Sequence, residues 1–555
     1  MADQTDAPDP ITPDPITPDP ITTEVVSRHV LAAAAEMGIV LMRTAFSPNI
    51  KERNDCSTAV FNARGDVVAQ AEHIAIHLGS MIGAIEHITA RYDLSGIGPG
   101  DMFVANDPYN GGGSHLPDLN VIAPVFHDGR IVAYVANIAH HADVGGMVPG
   151  SEAAVCETIF QEGLRLPPVR LVRDGVVNRD VIDIILLNSR TPDERRGDLN
   201  AQIAANHVGI RSMTGLIERY GLDVFERALD AYLDFSARRM EAAVANLPEG
   251  RYEAEDFLSS GTAGVEARLA CALTIADGRM KFDFAGTAPQ LNEARNIPHQ
   301  ALLATVYTVA KALLDPGAPA NSGAFRVIDI AAPSGCIVQP TPPAPVGARS
   351  LSCGVLSDVV LAALSQAIPA KGMARCGPHG LLLLSGTDPR NGRYFVNYET
   401  VAGGLGALPH RDGLDAVRTL TSGSANLPVE ALEHDFPVRV ERYALRDGSG
   451  GAGRHRGGRG VLRDYRILGD AMTVSLTGER QRVPARGVDG GADGSLGEFV
   501  INPGAPDEII LGAAVKEAPL PRGSVLRVGT PGGAGWGDSS RRAPALVEKD
   551  KREGR

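Results

Sequence analysis

The residues best suited to chemistry in this chain are histidines and aspartates at two turns. A glycine-rich loop, residues 106–118, carries His115 and, three positions later, Asp118. Two adjacent histidines, His140 and His141, follow, with Asp143 just beyond them. Neutral imidazole and carboxylate oxygen are both good ligands for a divalent metal, and glycine lets the backbone approach closely. Three protein ligands would leave positions open for water or substrate, so the pattern predicts a catalytic metal site.

The elements around these residues must bring them together. Residues 121–126 and 130–137 are β-rich and flank His127-Asp128-Gly129, which predicts a hairpin whose second strand leads directly into His140. Residues 101–106 read as a strand that leads into the 106–118 loop. We therefore expect both segments to meet around one ion. The alternative is that these are ordinary loop residues, because a histidine and an aspartate three apart often occur by chance.

Other catalytic templates are absent from the sequence. It has no Gly-Lys-Ser/Thr phosphate loop, no H-E-x-x-H and no G-x-S-x-G. Residues 448–453 match G-x-G-x-x-G, but the Arg- and Gly-rich segment that follows cannot form the helix of a dinucleotide site. We predict instead that the glycine-rich segments 403–406, 448–460 and 530–537 are loops that serve a site or contact a partner.

Composition limits the class of protein. The chain has 555 residues, of which 44% are apolar and 21% charged, as in globular proteins. Its formal net charge of −13 argues against a nucleic-acid partner. The six cysteines form no C-x-x-C pair, and no apolar run approaches a membrane span, so we expect reduced thiols, a cytoplasmic location and no membrane association.

The order of patterns predicts an α+β (mixed α/β) protein. An N-terminal domain with the metal site precedes a β-rich, glycine-rich C-terminal region. Three copies of Pro-Asp-Pro-Ile-Thr at residues 8–22 predict an extended arm. The predicted boundaries are an arm at 1–22, an N-terminal domain at 23–248, a central α/β domain at 249–375, a Gly/Pro-rich β domain at 376–538 and a charged, frayed tail at 539–555.

Several ordered motifs resemble the hydantoinase B/oxoprolinase family, and the resemblance runs from about residue 19 to 538. The motifs are Glu52-Arg53-Asn54-Asp55-Cys56-Ser57, the 106–118 loop, residues 139–146, Glu162-Gly163-Leu164, residues 397–404, 448–460 and 530–537.

The resemblance implies the B-type component of an ATP-dependent hydrolase of cyclic amides, with ATP bound by a separate A-type ATPase subunit. It implies a hetero-oligomer and a divalent metal (Zn, Mn, Fe or Co) held by His115, Asp118 and His140, with Asp55 as a further ligand. Asn137 stands where some relatives place an acidic residue, which argues against a second metal.

The same resemblance implies a mechanism. Phosphorylation of the amide oxygen by ATP creates a leaving group, and water activated at the metal then attacks, with His141 or Asp143 as base. Two alternatives remain open. The chain is a subunit of an acetone- or acetophenone-type carboxylase acting on a ketone, or it is a non-catalytic scaffold.

Overall fold

The structure is a computed structural model that describes residues 19–71, 74–259, 266–418 and 420–553. Nearly all of the predicted arm lies outside these residues. Its last residues belong to the first helix, which begins at Pro20 rather than after residue 22. The carboxylate of Asp19 caps this helix by accepting hydrogen bonds from the backbone amides of Ile21 and Thr22, and Pro20 has the φ angle that a first helical position needs.

The N-terminal part is a seven-stranded antiparallel sheet with helices packed on it. The strand order is β2-β1-β5-β4-β3-β6-β7. The strands are β1 Cys56–Asn62, β2 Val67–Ala71, β3 Met102–Ala105, β4 Asp118–His127, β5 Arg130–His140, β6 Val169–Arg173 and β7 Val176–Val177. The helices are α1 Pro20–Thr44, α2 Pro48–Lys51, α3 Ala75–Ser80, α4 Ala84–Arg91, α5 Arg179–Leu187, α6 Pro192–Tyr220 and α7 Leu222–Ala245. Apolar faces of α1, α6 and α7 join the sheet in one core.

The central part is a four-stranded sheet of order β11-β10-β9-β8 with two long helices against it. The strands are β8 Gly250–Ser259, β9 Glu266–Ala276, β10 Arg279–Asp283 and β11 Ile328–Ala331. The helices are α8 His299–Leu314 and α9 Arg349–Ala367. Most of α9 is buried, and its first residue, Arg349, reaches the N-terminal sheet.

The C-terminal part contains two further sheets, of order β13-β12-β16-β19 and β14-β15-β20-β17-β18. Their strands are β12 Gly380–Thr387, β13 Tyr394–Val401, β14 Val438–Leu445, β15 Val461–Ile467, β16 Ala471–Thr477, β17 Glu498–Ile501, β18 Ile509–Leu511, β19 Ala514–Pro521 and β20 Val525–Gly529. The helices are α10 Val429–Asp435 and α11 Pro544–Arg552. One apolar core joins the two sheets, and the mixed α+β class predicted from the sequence is confirmed.

The glycine-rich segments are largely without regular secondary structure, as expected of loops, and their contact with a partner stays a prediction. They lie beside one another as extended chains whose backbones are hydrogen-bonded across segments. The amide of Gly458 donates to Leu405, that of Gly533 to Gly458, and that of Gly451 to Gly533. A Cβ at Gly458 would lie 1.9 Å from the Leu414 carbonyl oxygen. Glycine is required here because backbones pack directly on backbones.

The C-terminal tail also differs from expectation. Instead of fraying, it forms α11 within the described residues. Arg542 donates to both carboxylate oxygens of Asp412 at 2.8 Å and also to Asp550. This paired arginine ties the tail to the glycine-rich region, an interaction that no local pattern reveals.

Two helices of the described chain, α1 and α9, are long and apolar enough to pass a length and composition test for a membrane span. The sequence patterns had indicated no such stretch. The apolar window of α9 is 72% buried, and α1 packs against α6 and β1. Burial within the fold accounts for the apolar character of α9 and for that of the 44% of the α1 window that is buried.

We predict that Gly458→Ala destabilises the fold, whereas Gly512→Ala does not. A methyl group at residue 458 would overlap the Leu414 carbonyl, and such overpacking typically costs about 1–3 kcal/mol. A Cβ at Gly512 meets nothing within 4 Å. Thermal unfolding of both variants measures the difference. Equal melting temperatures would contradict the backbone packing described above.

Candidate metal centre

The hairpin of β4 and β5 sets the positions of the candidate ligands. Its strands are antiparallel, and Asp118 at the start of β4 is the register partner of His140 at the end of β5. Side chains of directly opposed residues lie on the same face of the sheet. His115 precedes β4 by one turn, closed by a hydrogen bond from the Asp118 amide to the His115 carbonyl. The two sequence segments therefore meet as predicted.

Three buried side chains converge at this end of the hairpin. His115, His140 and Glu152 each offer a ligand atom, and these atoms lie within 4.8 Å of one another. His140 Nε2 is 3.3 Å from Glu152 Oε2, and His115 Nδ1 is 3.9 Å from the same oxygen. All three residues are almost fully buried. This geometry suits a divalent cation bound by nitrogen and oxygen.

Glu152 was not among the residues predicted from the sequence. It lies in the loop after β5, directly after Ser151, whose φ of 56° is left-handed. No spacing rule links residue 152 to residues 115 and 140. The available signal was a single carboxylate in the otherwise uncharged segment 144–156, where an unpaired charge is costly to bury.

Asp118 lies between the histidines and an arginine. Its Oδ1 is 3.0 Å from His115 Nε2 and 3.7 Å from His77 Nε2. Its Oδ2 accepts a hydrogen bond from Arg349 Nη2 at 2.8 Å. Burial by itself would raise the pKa of Asp118, but the neighbouring basic groups, of which Arg349 is permanently charged, outweigh burial and hold that pKa well below its ordinary value. Asp118 is therefore ionised beside the triad.

Burial, reinforced by Arg349, lowers the pKa of His115, so this imidazole is neutral at physiological pH. Neutral imidazole is the form that binds metals. At the triad and Asp118, three buried atoms have no hydrogen-bond partner of good geometry among the described residues: His115 Nε2, Asp118 Oδ1 and Glu152 Oε1. Unpaired donors and acceptors at one buried spot are what a cation site requires, so these residues fit a divalent metal.

Neighbouring groups hold the two histidines. His115 Nδ1 lies 3.0 Å from the Gly347 carbonyl oxygen. Glu162 supports that turn, because its Oε1 accepts hydrogen bonds from the amides of Val346 and Gly347. His140 Nδ1 lies 3.0 Å from Asn49 Nδ2, and the Tyr398 ring stacks on His140 with centroids 4.2 Å apart. Such contacts fix the ring orientations that ligation needs.

The structure does not direct His141 or Asp143 to this cluster. His141 Nε2 lies 3.0 Å from Gln202 Oε1 on α6, and burial, followed by the charge of Arg195, lowers its pKa to about 4. The Asp143 carboxylate accepts hydrogen bonds from the amides of Gly145 and Gly150 and from Arg190. Consecutive residues leaving a strand point to opposite faces, which is why His141 turns away where His140 turns in. Their predicted role as base finds no support in these contacts.

A small cavity lies beside the triad. It is lined by Asp55, His77, His140, Arg349, Ser350, His379, Tyr398, Thr400 and Arg418, among others. Asp55 thus reaches the same cavity as His140, although it is outside the triad, and its role as a ligand stays a prediction. Sequence patterns also gave no sign of His77, His379 and Arg418, which come from elements far apart in the chain.

Comparisons with known proteins agree with the motifs. The family model described as Hydantoinase B/oxoprolinase matches residues 19–539. The chain is 33% identical over 543 residues to the B component of a putative D-/L-hydantoinase from a Pseudomonas species, covering 94% of this chain and 90% of that protein. It is 32% identical over 535 residues to the beta chain of the caprolactamase from Pseudomonas jessenii, covering 94% and 91%.

Solved structures show the same fold. The crystal structure of the ATP-dependent caprolactamase from Pseudomonas jessenii superimposes with a TM-score of 0.89 at 29% identity, covering 97% of this chain and 94% of that chain. A nucleotide-free acetone carboxylase structure gives a TM-score of 0.87 at 20% identity, covering 97% and 78%, which shows the fold alone. The family model and these two relatives match nearly the whole length of the chain. The chain therefore belongs to the hydantoinase B/oxoprolinase family.

Proposed function

We propose that the chain is the metal-carrying subunit of an ATP-dependent cyclic-amide hydrolase. The observation that carries this proposal is the buried triad His115, His140 and Glu152, with the ionised Asp118 beside it. The relative that is named as part of a caprolactamase supports a cyclic amide as the class of substrate. The acetone carboxylase shares the fold at low identity, so no observation favours the carboxylase alternative over the hydrolase.

Four buried residues, and a fifth at the cavity, are placed to bind a divalent cation. His115, His140, Glu152 and Asp118 would hold the divalent cation, with Asp55 as a further ligand at the cavity. When bound, such a cation supplies Lewis acidity for attack of water on a carbonyl-type carbon.

Arg349 keeps Asp118 ionised and fixes its orientation. Tyr398 covers one face of His140 and limits its access to bulk solvent. These contacts pre-organise the ligands before substrate enters.

Activation of the substrate by ATP is assigned to an A-type partner subunit. The only G-x-G-x-x-G match, residues 448–453, lies within the bundle of glycine-rich segments. The amide of Gly451 donates to the Gly533 carbonyl, so it is not available to a phosphate. Relatives named as the B and beta components of their enzymes support assembly with a partner into a hetero-oligomer.

The metal proposal predicts that His115→Ala and His140→Ala each remove the bound metal. Changing a residue that only supports a ligand costs about 10–100-fold in metal affinity, and loss of a ligand itself should cost more. His127→Ala, at the other end of β4 and partly exposed, is the matched control. Metal content by elemental analysis and thermal unfolding are measured on all four proteins.

Wild type and His127→Ala are expected to carry stoichiometric divalent metal, and the two ligand variants are expected to be folded and depleted. Wild type purified without metal, or ligand variants that retain it, would refute the site. Glu152→Gln should behave as a ligand variant as well, because the amide replaces the charged oxygen donor.

Because ATP-dependent activation is assigned to the partner subunit, we predict that this chain alone hydrolyses no ATP. Coexpression with its A-type partner should give a stable complex, detected by light scattering, and ATP-dependent opening of a lactam. A chelator should abolish lactam turnover in the complex. Robust ATPase activity of the isolated chain would contradict the assignment. Turnover of ketones with bicarbonate but not of lactams would instead establish the carboxylase alternative.

A further inference from the structure

Arg418 is a cation in the cavity whose hydrogen-bond acceptors, among the described residues, are all neutral. Its Nη2 donates to the Thr400 carbonyl at 2.6 Å and to Asn426 Oδ1 at 3.1 Å, and its Nη1 donates to Thr400 Oγ1. A guanidinium has five N–H donors, so the Nε–H and one Nη1–H have no acceptor in the described structure. Arg418 thus brings a charge that is hydrogen-bonded only to neutral groups, and free donors, to the cavity wall.

The surroundings disfavour that charge. Burial lowers the pKa of Arg418 to about 9, and the nearby charge of Arg53 acts in the same direction. Tyr398, Asp55 and Glu399 act in the opposite direction but do not offset burial. A partly buried charge without a direct ion pair is costly.

A second unsatisfied group faces the same cavity. His379 is 2% exposed, and its Nε2 lies 3.3 Å from Ser350 Oγ. Its Nδ1 is buried without a hydrogen-bond partner among the described residues. Burial, followed by the charge of Arg418, lowers the pKa of His379 to about 3, so the ring is neutral. His379 therefore adds a neutral polar contact and no opposing charge.

The charges around the cavity and the triad balance before a metal is added. Three arginines stand against three carboxylates: Arg53, Arg349 and Arg418 against Asp55, Asp118 and Glu152. The buried Glu399 is already paired with Arg463 and Tyr465. A divalent cation at the proposed centre therefore leaves two positive charges in excess, which an anionic substrate would neutralise.

We propose that this cavity binds an oxyanionic group of the substrate, a phosphoryl or carboxylate group, with Arg418 as its charged contact and His379 as its neutral contact. The inference rests on the proposed function for the position of the metal next to the cavity. Planar guanidinium recognises both kinds of oxyanion through paired hydrogen bonds. Arg418 is thereby a specificity-determining residue that selects an acidic group beside the reacting carbon.

The test measures binding of inorganic phosphate and of acetate to the full-length, metal-loaded chain by calorimetry. The variants are Arg418→Gln, His379→Gln and a control, Arg522→Gln, which removes an equal charge from the exposed pair of Arg522 with Asp470. Wild type and the control should bind one of the two anions. Arg418→Gln should weaken binding about 10- to 100-fold, the value of hydrogen bonds to a charged group.

The two anions distinguish the sources of the oxyanion. Tighter binding of phosphate identifies a phosphoryl group, and tighter binding of acetate identifies a carboxylate. His379→Gln leaves the Thr400 contacts of Arg418 in place and should weaken binding several-fold, so it tests the cavity if Arg418→Gln does not fold. Absence of binding to wild type, or unchanged affinity in the folded variants, overturns the proposal.

Metal analysis of the same samples separates this proposal from the proposed function. Arg418→Gln should retain the metal content of wild type, because Arg418 contacts none of the triad. A metal-free wild type that still shows Arg418-dependent anion binding would refute the metal centre alone. A metal-loaded wild type without anion binding would refute the oxyanion site alone.

Discussion

The register of β4 against β5 is the constraint on which the candidate centre depends. Asp118 and His140 are direct partners at one end of this hairpin, and His115 is fixed one turn before Asp118. A shift of one residue would turn every side chain of β4 to the other face. The register is held by burial along both strands, since β4 is the central strand of the sheet and β5 lies between it and β1.

A second layer of contacts joins this hairpin to the rest of the molecule. Arg349, the first residue of α9, donates to Asp118, and the turn before α9 contacts His115 through the Gly347 carbonyl. Glu162 holds that turn through two backbone amides, and burial raises its own pKa to about 8. The ligands are thus supported from the central part of the chain as well as from their own sheet, which is the arrangement expected of a pre-organised metal site.

The C-terminal part completes the site from the other side. Tyr398 on β13 stacks on His140, and His379 and Arg418 lie in the adjoining cavity. In the same part of the chain, the glycine-rich segments pack backbone against backbone. The N-terminal part thus contributes the candidate metal ligands, and the C-terminal part contributes Tyr398, His379 and Arg418 to the cavity wall.

The sequence by itself determined the main elements and half of the centre. The hairpin formed by residues 121–126 and 130–137, and the approach of His115 to His140, follow from periodicity and turn residues, which act over short distances along the chain. The ordered motifs also identified the family to which the chain belongs. Local patterns could not identify Glu152 as a candidate ligand, because a loop carboxylate is an ordinary surface residue unless the tertiary fold buries it.

Tertiary structure alone decided the rest. It turned His141 toward Gln202, because alternation at a strand end sends the neighbours His140 and His141 to opposite faces. It also engaged Asp143 in the turn that follows. It also packed the glycine-rich loops against one another and brought His379 and Arg418 to a cavity that Asp55, more than 300 residues earlier in the chain, also lines. Contacts between residues so far apart depend on how whole sheets pack, and no local sequence signal encodes that packing.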